Sequence, residues 1–493
     1  MKKQQGALLT SIHIDRTARK KIGVQLYMGL RDIILTGGLC AGDRLPATRT
    51  LAKEIQVSRT TVIDAIDRLV AEGLLESRVG AGTYVSEILE NQRPRTPNVD
   101  TADTSNARPR LAHNLTHATE TYAPRSWLPH TTGAFVTALP ALDAFPMAHW
   151  ARLSARHLRG SRDDIMGYGQ PKGLLQLRQA IATHLNASRG IRCHSEQVFI
   201  TAGAQQAFSL IGTVLLNAGD QVWYENPGAA GARNAFLSRG AQMVPIDVDK
   251  DGMNVAQGIQ KSPHFRLAFV TPSHQQPLGH VMSLARRLEL LDAANTAQAM
   301  IVEDDYDGDF YFGGQPHPPL KSIDTQGRVI YVGTFSKTLF PSLRLGFMLV
   351  PDGLIDTFDH LFASWISTAP TSVQSIVADF MDEGHFSTHI RMMRRLYSAR
   401  YDAMIEASSQ MPNGFTLGET KSGFHTMGYL PENADEHKLV RAAGENGVIV
   451  APLNRYCLTP IQQKGLVLGF GSSTPEQINS GMKTLRKLVR RQI

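Results

Sequence analysis

Lys337, Asp304 and Tyr306 are the side chains whose types and spacing carry chemistry. Lys337 closes the stretch Val329 to Lys337, in which a β-branched strand (Val329, Ile330, Val332) passes into a turn of small and hydroxyl residues. A lysine desolvated at a strand end is pushed toward its neutral amine, the form that adds to a carbonyl and makes a Schiff base. Upstream, the apolar run Ala299 to Val302 ends in Glu303, Asp304, Asp305 and Tyr306. A carboxylate for a pyridinium nitrogen, a phenol for a ring oxygen and an amine for an aldehyde are the parts that hold pyridoxal phosphate (PLP). A lysine after a strand is by default solvated; Asp304, Tyr306 and Arg344 beside it argue against that reading here.

These residues need strand ends to hold them. From about residue 165 the chain alternates strands and helices, which predicts an α/β fold with a mainly parallel sheet. Predicted strands are 198–201, 221–224, 266–270, 300–302, 329–332 and 345–350. After the first, Ala202, Gly203, Ala204 and Gln205 form a small-residue turn feeding a helix over 207–216, an arrangement that binds phosphate through helix N–H groups or serves as a tight connection. Polar groups gather after strand ends, where open α/β sheets bind ligands. Beyond about residue 352 a helical stretch leads to a smaller α+β portion from Gly414 onward. Its last helix starts at Thr474-Pro475 and buries Ile478, Met482, Leu485 and Val489.

The chain is 493 residues long, enough for two or three domains, and is 42% hydrophobic. Its charge is uneven: residues 1–110 hold 17 Lys and Arg against 12 Asp and Glu, the remainder 34 against 32. A basic end on a near-neutral body fits nucleic acid at one end and small molecules at the other. Three cysteines without a CxxC exclude a disulfide framework and a thiolate metal site, and no metal is expected. The N-terminus has no apolar segment of signal-peptide length, and no run of about 18 apolar residues occurs, so a cytoplasmic protein without a membrane partner is expected.

In the basic end, Ile22, Leu26, Leu30, Ile33 and Ile34 recur at helical spacing, and Gly37-Gly38 stops that helix. Leu51, Ala52 and Ile55 form one face of a short second helix. Ser58 is an N-cap for a third, Arg59 to Glu72, with Val62, Ile66 and Leu69 inward. A tight turn between the last two makes a helix-turn-helix, and Leu74 to Val85 reads as two strands around a glycine turn, with Arg78 able to meet phosphate. Periodicity alone fits an ordinary αα-hairpin equally well.

The wording of the segment decides between them. GDRLPATRTLA, VSRTTV, LVAEGLLE and GAGTYV closely resemble the winged helix-turn-helix domain of the GntR family. Residues 130–493 look like fold-type I PLP-dependent aminotransferases, through Tyr168 to Gly173, TAGAQQA, ENPG, TPSHQ, EDDYDGDF and YVGTFSKTLFPSLRLGF. Head and body together resemble the MocR/PdxR subfamily of GntR regulators. The resemblance implies an N-terminal arm (1–21), a winged helix-turn-helix (22–86), a polar linker (87–112) and an aminotransferase-like domain (113–493) with its large part near 165–351 and small part near 395–493.

Carried over by residue, the resemblance makes Lys337 the Schiff-base lysine, Asp304 the pyridinium partner and Tyr306 the ring-oxygen partner. Gly203, Ala204, Gln205, Ser336 and Arg344 would cradle the phosphate, joined by Tyr168 from the partner subunit of a homodimer. Arg455 falls where an effector carboxylate would be bound, or is a solvated arginine; Gln275 touches the cofactor ring or fills its turn. His274 reads as structural, and Asp305 and Asp307 receive no chemistry. DNA contact would fall to Arg49, Ser58, Arg59, Thr60 and Thr61, with Arg78 and Gly82 in the wing. The chain departs from the family pattern at Ala229-Ala230, Gln276 and Tyr311, where rings or an arginine are common.

The expected function is a PLP-dependent DNA-binding transcription regulator, in which PLP or an amino compound bound as a Schiff base modulates operator binding, without net turnover. The alternative is an active aminotransferase with an accessory DNA-binding head; steady-state turnover with an α-keto acid separates the two.

Overall fold

The structure, a computed structural model, describes residues 12–78, 81–87, 132–160, 166–314, 317–365 and 369–491. The expected arm lies outside the described residues up to residue 11, and the expected linker lies outside them from residue 88. The chain divides into two compact units, Met1–Pro109 and Arg110–Ile493.

In the first unit, α1 (Ile22–Leu35) buries Leu26, Leu30 and Ile34, one stripe at fourfold spacing. α2 (Thr48–Glu54) buries Leu51 and Ala52, and α3 (Arg59–Ala71) buries Val62, Ala65, Ile66 and Leu69. Ser58 caps α3 as expected: its hydroxyl accepts from the Thr61 N–H at 3.1 Å. β1 (Leu75–Arg78) and β2 (Gly82–Val85) pair antiparallel, Arg78 opposite Gly82. Leu75 and Val85 of this wing join the helices in one core. Val79 and Gly80, at the wing's tip, lie outside the described residues.

The second unit is built on an eight-stranded sheet. Its strands are β3 (Val198–Thr201), β4 (Gln221–Asn226), β5 (Gln242–Asp249), β6 (Gly252–Met253), β7 (Leu267–Val270), β8 (Met300–Asp305), β9 (Val329–Thr334) and β10 (Gly346–Leu349), in the order β3-β10-β9-β8-β7-β4-β5-β6. β4, β5, β7, β8 and β9 run parallel, and β10 lies antiparallel to both neighbours. All residues of β7 and β9 are buried, so these strands read as continuous apolar runs. β5 has no such run and was not predicted; it holds Pro245, is half-buried, and lies one strand from the sheet edge. The helix after β3, α4 (Ala204–Leu215), starts three residues before its predicted position. The turn after β9 is helical over four residues, α5 (Phe335–Thr338).

The long helix α6 (His385–Ser408) leads to a four-stranded antiparallel sheet of β11 (Thr416–Leu417), β12 (His425–Leu430), β13 (Ala451–Pro452) and β14 (Lys464–Gly469). α7 (Pro475–Arg490) covers it with Ile478, Met482, Leu485 and Val489, the four residues predicted to be buried. An earlier stretch joins this small sheet. Phe135 is bridged to Gly469, and its N–H donates to the Ser473 hydroxyl at 3.1 Å. Among the described residues no helix is long and apolar enough to cross a membrane.

Candidate functional site

Side chains alternate across a strand, and β8 uses that alternation to sort its acids. Glu303 is fully buried and accepts from the Leu320 and Lys321 N–H groups, each at 2.8 Å. Asp305 accepts from Arg189 and, at 2.7 Å, from the Tyr331 hydroxyl. Beyond the strand, Asp307 pairs with His274 at 2.8 Å and Asp309 with His184 at 3.3 Å. Asp304 points the other way, to a cavity, and its Oδ1 is buried with no hydrogen-bond partner among the described residues. Burial, followed by the nearby Asp305 and Asp307, pushes its carboxyl well above the carboxylate range, against the opposing pull of Lys337. A buried carboxyl in this state is a place for a cation.

The cavity measures about 210 Å³ at the carboxyl ends of the strands. Lys337 enters it from α5, a turn capped by Thr334, whose hydroxyl accepts from the Ser336 N–H at 3.2 Å. The Lys337 Nζ donates to the carbonyl of Ala138, which lies in the left-handed region at φ 65°. Lys337 is half-buried rather than enclosed as the sequence suggested. Tyr306 lines the cavity, and its hydroxyl donates to the His274 carbonyl at 2.9 Å.

Gly203, Ala204, Gln205, Ser336 and Arg344 line the same cavity. Gly203 precedes α4 at φ 85°, so the helix starts directly at the wall with its N–H groups and positive dipole end. Gly346 has to be glycine for the turn to close, because a Cβ there would sit 2.9 Å from the Gly203 Cα. A helix N-terminus, a hydroxyl and a guanidinium together make an anion site.

Three predicted residues are not on this wall. Gln275 is buried and spends its amide on the turn: its Nε2 donates to the Pro227 carbonyl at 2.8 Å and to Glu225 at 3.2 Å, and its Oε1 accepts from the Leu278 N–H at 2.9 Å. The adjacent Gln276 faces the cavity instead. Arg455 lies in the 3₁₀ turn Leu453–Tyr456, where residues three apart share a face. Leu453 and Tyr456 turn inward, Tyr456 reaches the cavity, and Arg455 does not line it. Tyr168 is fully exposed, with a fractional exposure of 106%. Sequence reasoning also missed Thr137, Ala138, Leu139 and His425 on the wall. The first three precede the strand–helix alternation, and nothing in the sequence marked His425.

In the first unit, Arg49, Ser58, Arg59, Thr60, Arg78 and Gly82 are exposed and Thr61 half-exposed. Arg59 is held toward α2 by the Thr48 hydroxyl at 3.3 Å. Two guanidinium groups lie over the Tyr84 ring, Arg78 at 4.8 Å and Arg44 at 6.0 Å from its centroid. Gly82 has φ 112°, and a Cβ there would press on the Arg44 side chain at 2.9 Å.

Residues 139–466 match the family described as aminotransferase class I and II, and residues 23–85 match the bacterial regulatory proteins of the gntR family. The chain is 40% identical to the probable rhizopine catabolism regulatory protein MocR of Rhizobium meliloti, over 96% of this chain and 94% of that protein. It is 28% identical to the pyridoxine biosynthesis transcriptional regulator PdxR of Corynebacterium glutamicum, over 92% of each. Among solved structures, the kynurenine aminotransferase of Pyrococcus horikoshii, in complex with PMP, superposes with a TM-score of 0.69 at 28% identity, covering 80% of this chain and 98% of that one. LysN, the α-aminoadipate aminotransferase of Thermus thermophilus, complexed with a phosphopyridoxyl-leucine, gives 0.70 at 26% identity, covering 78% and 99%.

Proposed function

This chain belongs to the MocR/PdxR group of gntR-family regulators, a winged helix-turn-helix joined to an aminotransferase class I and II domain, and on that premise we propose that its DNA binding is set by pyridoxal phosphate and an amino compound in the body's cavity. The observation that carries the cofactor reading is Asp304 Oδ1: buried, without a partner among the described residues, and on one wall with Lys337, Tyr306 and an anion cradle. The Asp304 carboxylate would pair with a pyridinium nitrogen. Gly203, Ala204, Gln205, Ser336 and Arg344 would hold the phosphate, and Tyr306 would donate to the ring oxygen. Bound there, the cofactor would supply an aldehyde reactive toward amines, with Lys337 placed to hold it.

Tyr168, fully exposed on its own protomer, reaches the partner's phosphate in a homodimer. The two heads then meet paired half-sites in operator DNA, the N-terminal turn of α3 in the major groove. Arg59 and Thr60 read bases there, while Arg49, Ser58, Thr61, Arg78 and the Gly82 backbone hold phosphates. The protein acts in the cytoplasm. An effector is useful only if it binds two states of the protein unequally.

The test is an absorbance spectrum of the purified protein with PLP, wild type and Lys337→Ala, followed by DNA binding with duplexes selected from a random pool. A visible band that requires Lys337, with DNA affinity altered by amines, supports the reading. No band in PLP-supplied wild type rejects it, and sustained turnover with an α-keto acid without DNA binding assigns the chain to the enzymes.

A further inference from the structure

Behind the cavity wall, two parts of the body close on the Tyr306 phenol. His274 comes from the turn after β7 and Asp307 from the turn after β8; Thr420, Gly423 and His425 come from the small sheet and its approach. His274, Asp307, Thr420 and His425 are all buried, at 1%, 1%, 6% and 4% exposure. The fit leaves no slack: a Cβ on Gly423 would lie 2.3 Å from both Asp307 Oδ2 and His274 Nδ1.

The hydrogen bonds fix where the protons are. The Thr420 hydroxyl donates to the Ser422 carbonyl at 2.8 Å, so at 3.2 Å from His274 Nε2 it can only accept. His274 therefore carries its hydrogen on Nε2. Burial holds its imidazole neutral, down to about 3, which leaves Nδ1 a bare acceptor. Asp307 Oδ2 faces Nδ1 at 2.8 Å, and burial pushes its carboxyl well up, so it brings the hydrogen to that contact. The Tyr306 hydroxyl is 3.2 Å from the same Nδ1 and spends its hydrogen on the His274 carbonyl. His274, Asp307 and His425 also bring ligand-type atoms within 4.8 Å of one another. In this state the Nδ1 lone pair is taken up by the Asp307 hydrogen.

We propose that His274 and Asp307 are positioning residues that share one mobile proton: when Tyr306 turns its hydrogen toward an anionic ring oxygen, the proton passes from Asp307 Oδ2 to His274 Nδ1. The Asp307 O–H bond breaks and the His274 N–H bond forms, with no outside acid or base. The imidazolium then stands beside the phenol and strengthens it as a donor. Thr420 sets the starting tautomer, so the strength of the phenol's grip depends on the small subdomain being in place. The other charged or titratable groups acting on this pair are His425, Asp305, Lys337, Arg189, Asp304, Tyr306 and His280.

The inference rests on the cavity holding pyridoxal phosphate, and the experiment separates the two. Full-length protein is loaded with PLP, and the pH midpoint of its visible band is measured for wild type, Asp307→Asn and Thr420→Val. Asp307→Asn keeps the shape but has no proton to pass, so the ring oxygen stays more basic and the midpoint rises, by on the order of one pH unit. Thr420→Val removes the acceptor for Nε2–H, favours the hydrogen on Nδ1, and lowers the midpoint. A role in packing alone would change thermal stability without opposite shifts. Midpoints that stay put, or move the same way, overturn the proposal while PLP binding stands. If Asp307→Asn does not fold, an unmoved or raised midpoint in Thr420→Val overturns it. Absence of a band in wild type overturns the cofactor reading and this proposal with it.

Discussion

Head and body keep the side chains proposed to work in opposite places. On the head, Arg49, Ser58, Arg59, Thr60 and Arg78 stand exposed on a core made by Leu26, Leu30, Leu51, Val62 and Leu69, and none of them enters it. In the body, Asp304 and Tyr306 are themselves buried, at 7% and 8% exposure, and His274 and Asp307 behind them more so. A surface arginine can be removed with its function alone. A buried acid is also part of the packing and of its neighbours' charge balance, so its removal tests function and fold together unless the replacement keeps its shape.

The sharpest way to break this contrast is Lys337→Ala. Complete loss of the visible band is expected, with the affinity of cofactor-free protein for DNA unchanged; a parallel loss in a filter-binding assay without PLP would show that the head depends on this body residue directly. Next is Arg59→Ala. DNA affinity should fall by about 1–3 kcal/mol, roughly 5- to 150-fold, with the thermal midpoint and the PLP band unmoved. A drop in thermal stability would place Arg59 among the head's structural residues.

A smaller effect comes from Glu225, fully buried, whose carboxyl is pushed by burial from 4.5 up to about 7. Because its folded value is raised, the folded chain holds a proton that the unfolded chain has released between pH 4.5 and about 7. Stability is lost as pH rises through that window and is level above it. Glu225→Gln should flatten the fall without abolishing it, since Glu303 is pushed up to about 7 in the same way. Thermal melts from pH 5 to 8 check this, and equal slopes in both proteins would mean that Glu225 is ionised in the fold. The smallest effect is expected from Arg78→Ala. Its contacts to Glu76 and Glu87 are exposed, at 3.8 and 3.4 Å, and add little to stability. The salt dependence of DNA binding should weaken by about one unit of slope, with sequence preference kept.

The same contrast explains what could be read from the sequence. The head's proposed site is local: Ser58 caps the helix that carries Arg59 and Thr60, so a short motif holds cap, helix and the candidate residues together. The central strands of the body were legible because burial on both faces leaves unbroken apolar runs in β7 and β9. In the body the sequence left side chains open within the right segments. Gln275 fills its turn, one of the two roles open to it, while Gln276 lines the cavity, and Arg455 lies off the wall while Tyr456 lies on it. Thr137 to Leu139 and His425 were missed for another reason. They reach the cavity from opposite ends of the domain, and only the folded small sheet brings them there.

The early stretch that joins the small sheet bears on how the chain is strung. After the head and the segment that follows it, the described chain resumes at Thr132; five residues on, Thr137 is in the cavity wall, and Ala138 holds the Lys337 amine. Ala138, which receives the Lys337 amine, thus belongs to the stretch that Phe135 fastens to β14, and a body cut back past Thr137 would lose one side of its pocket.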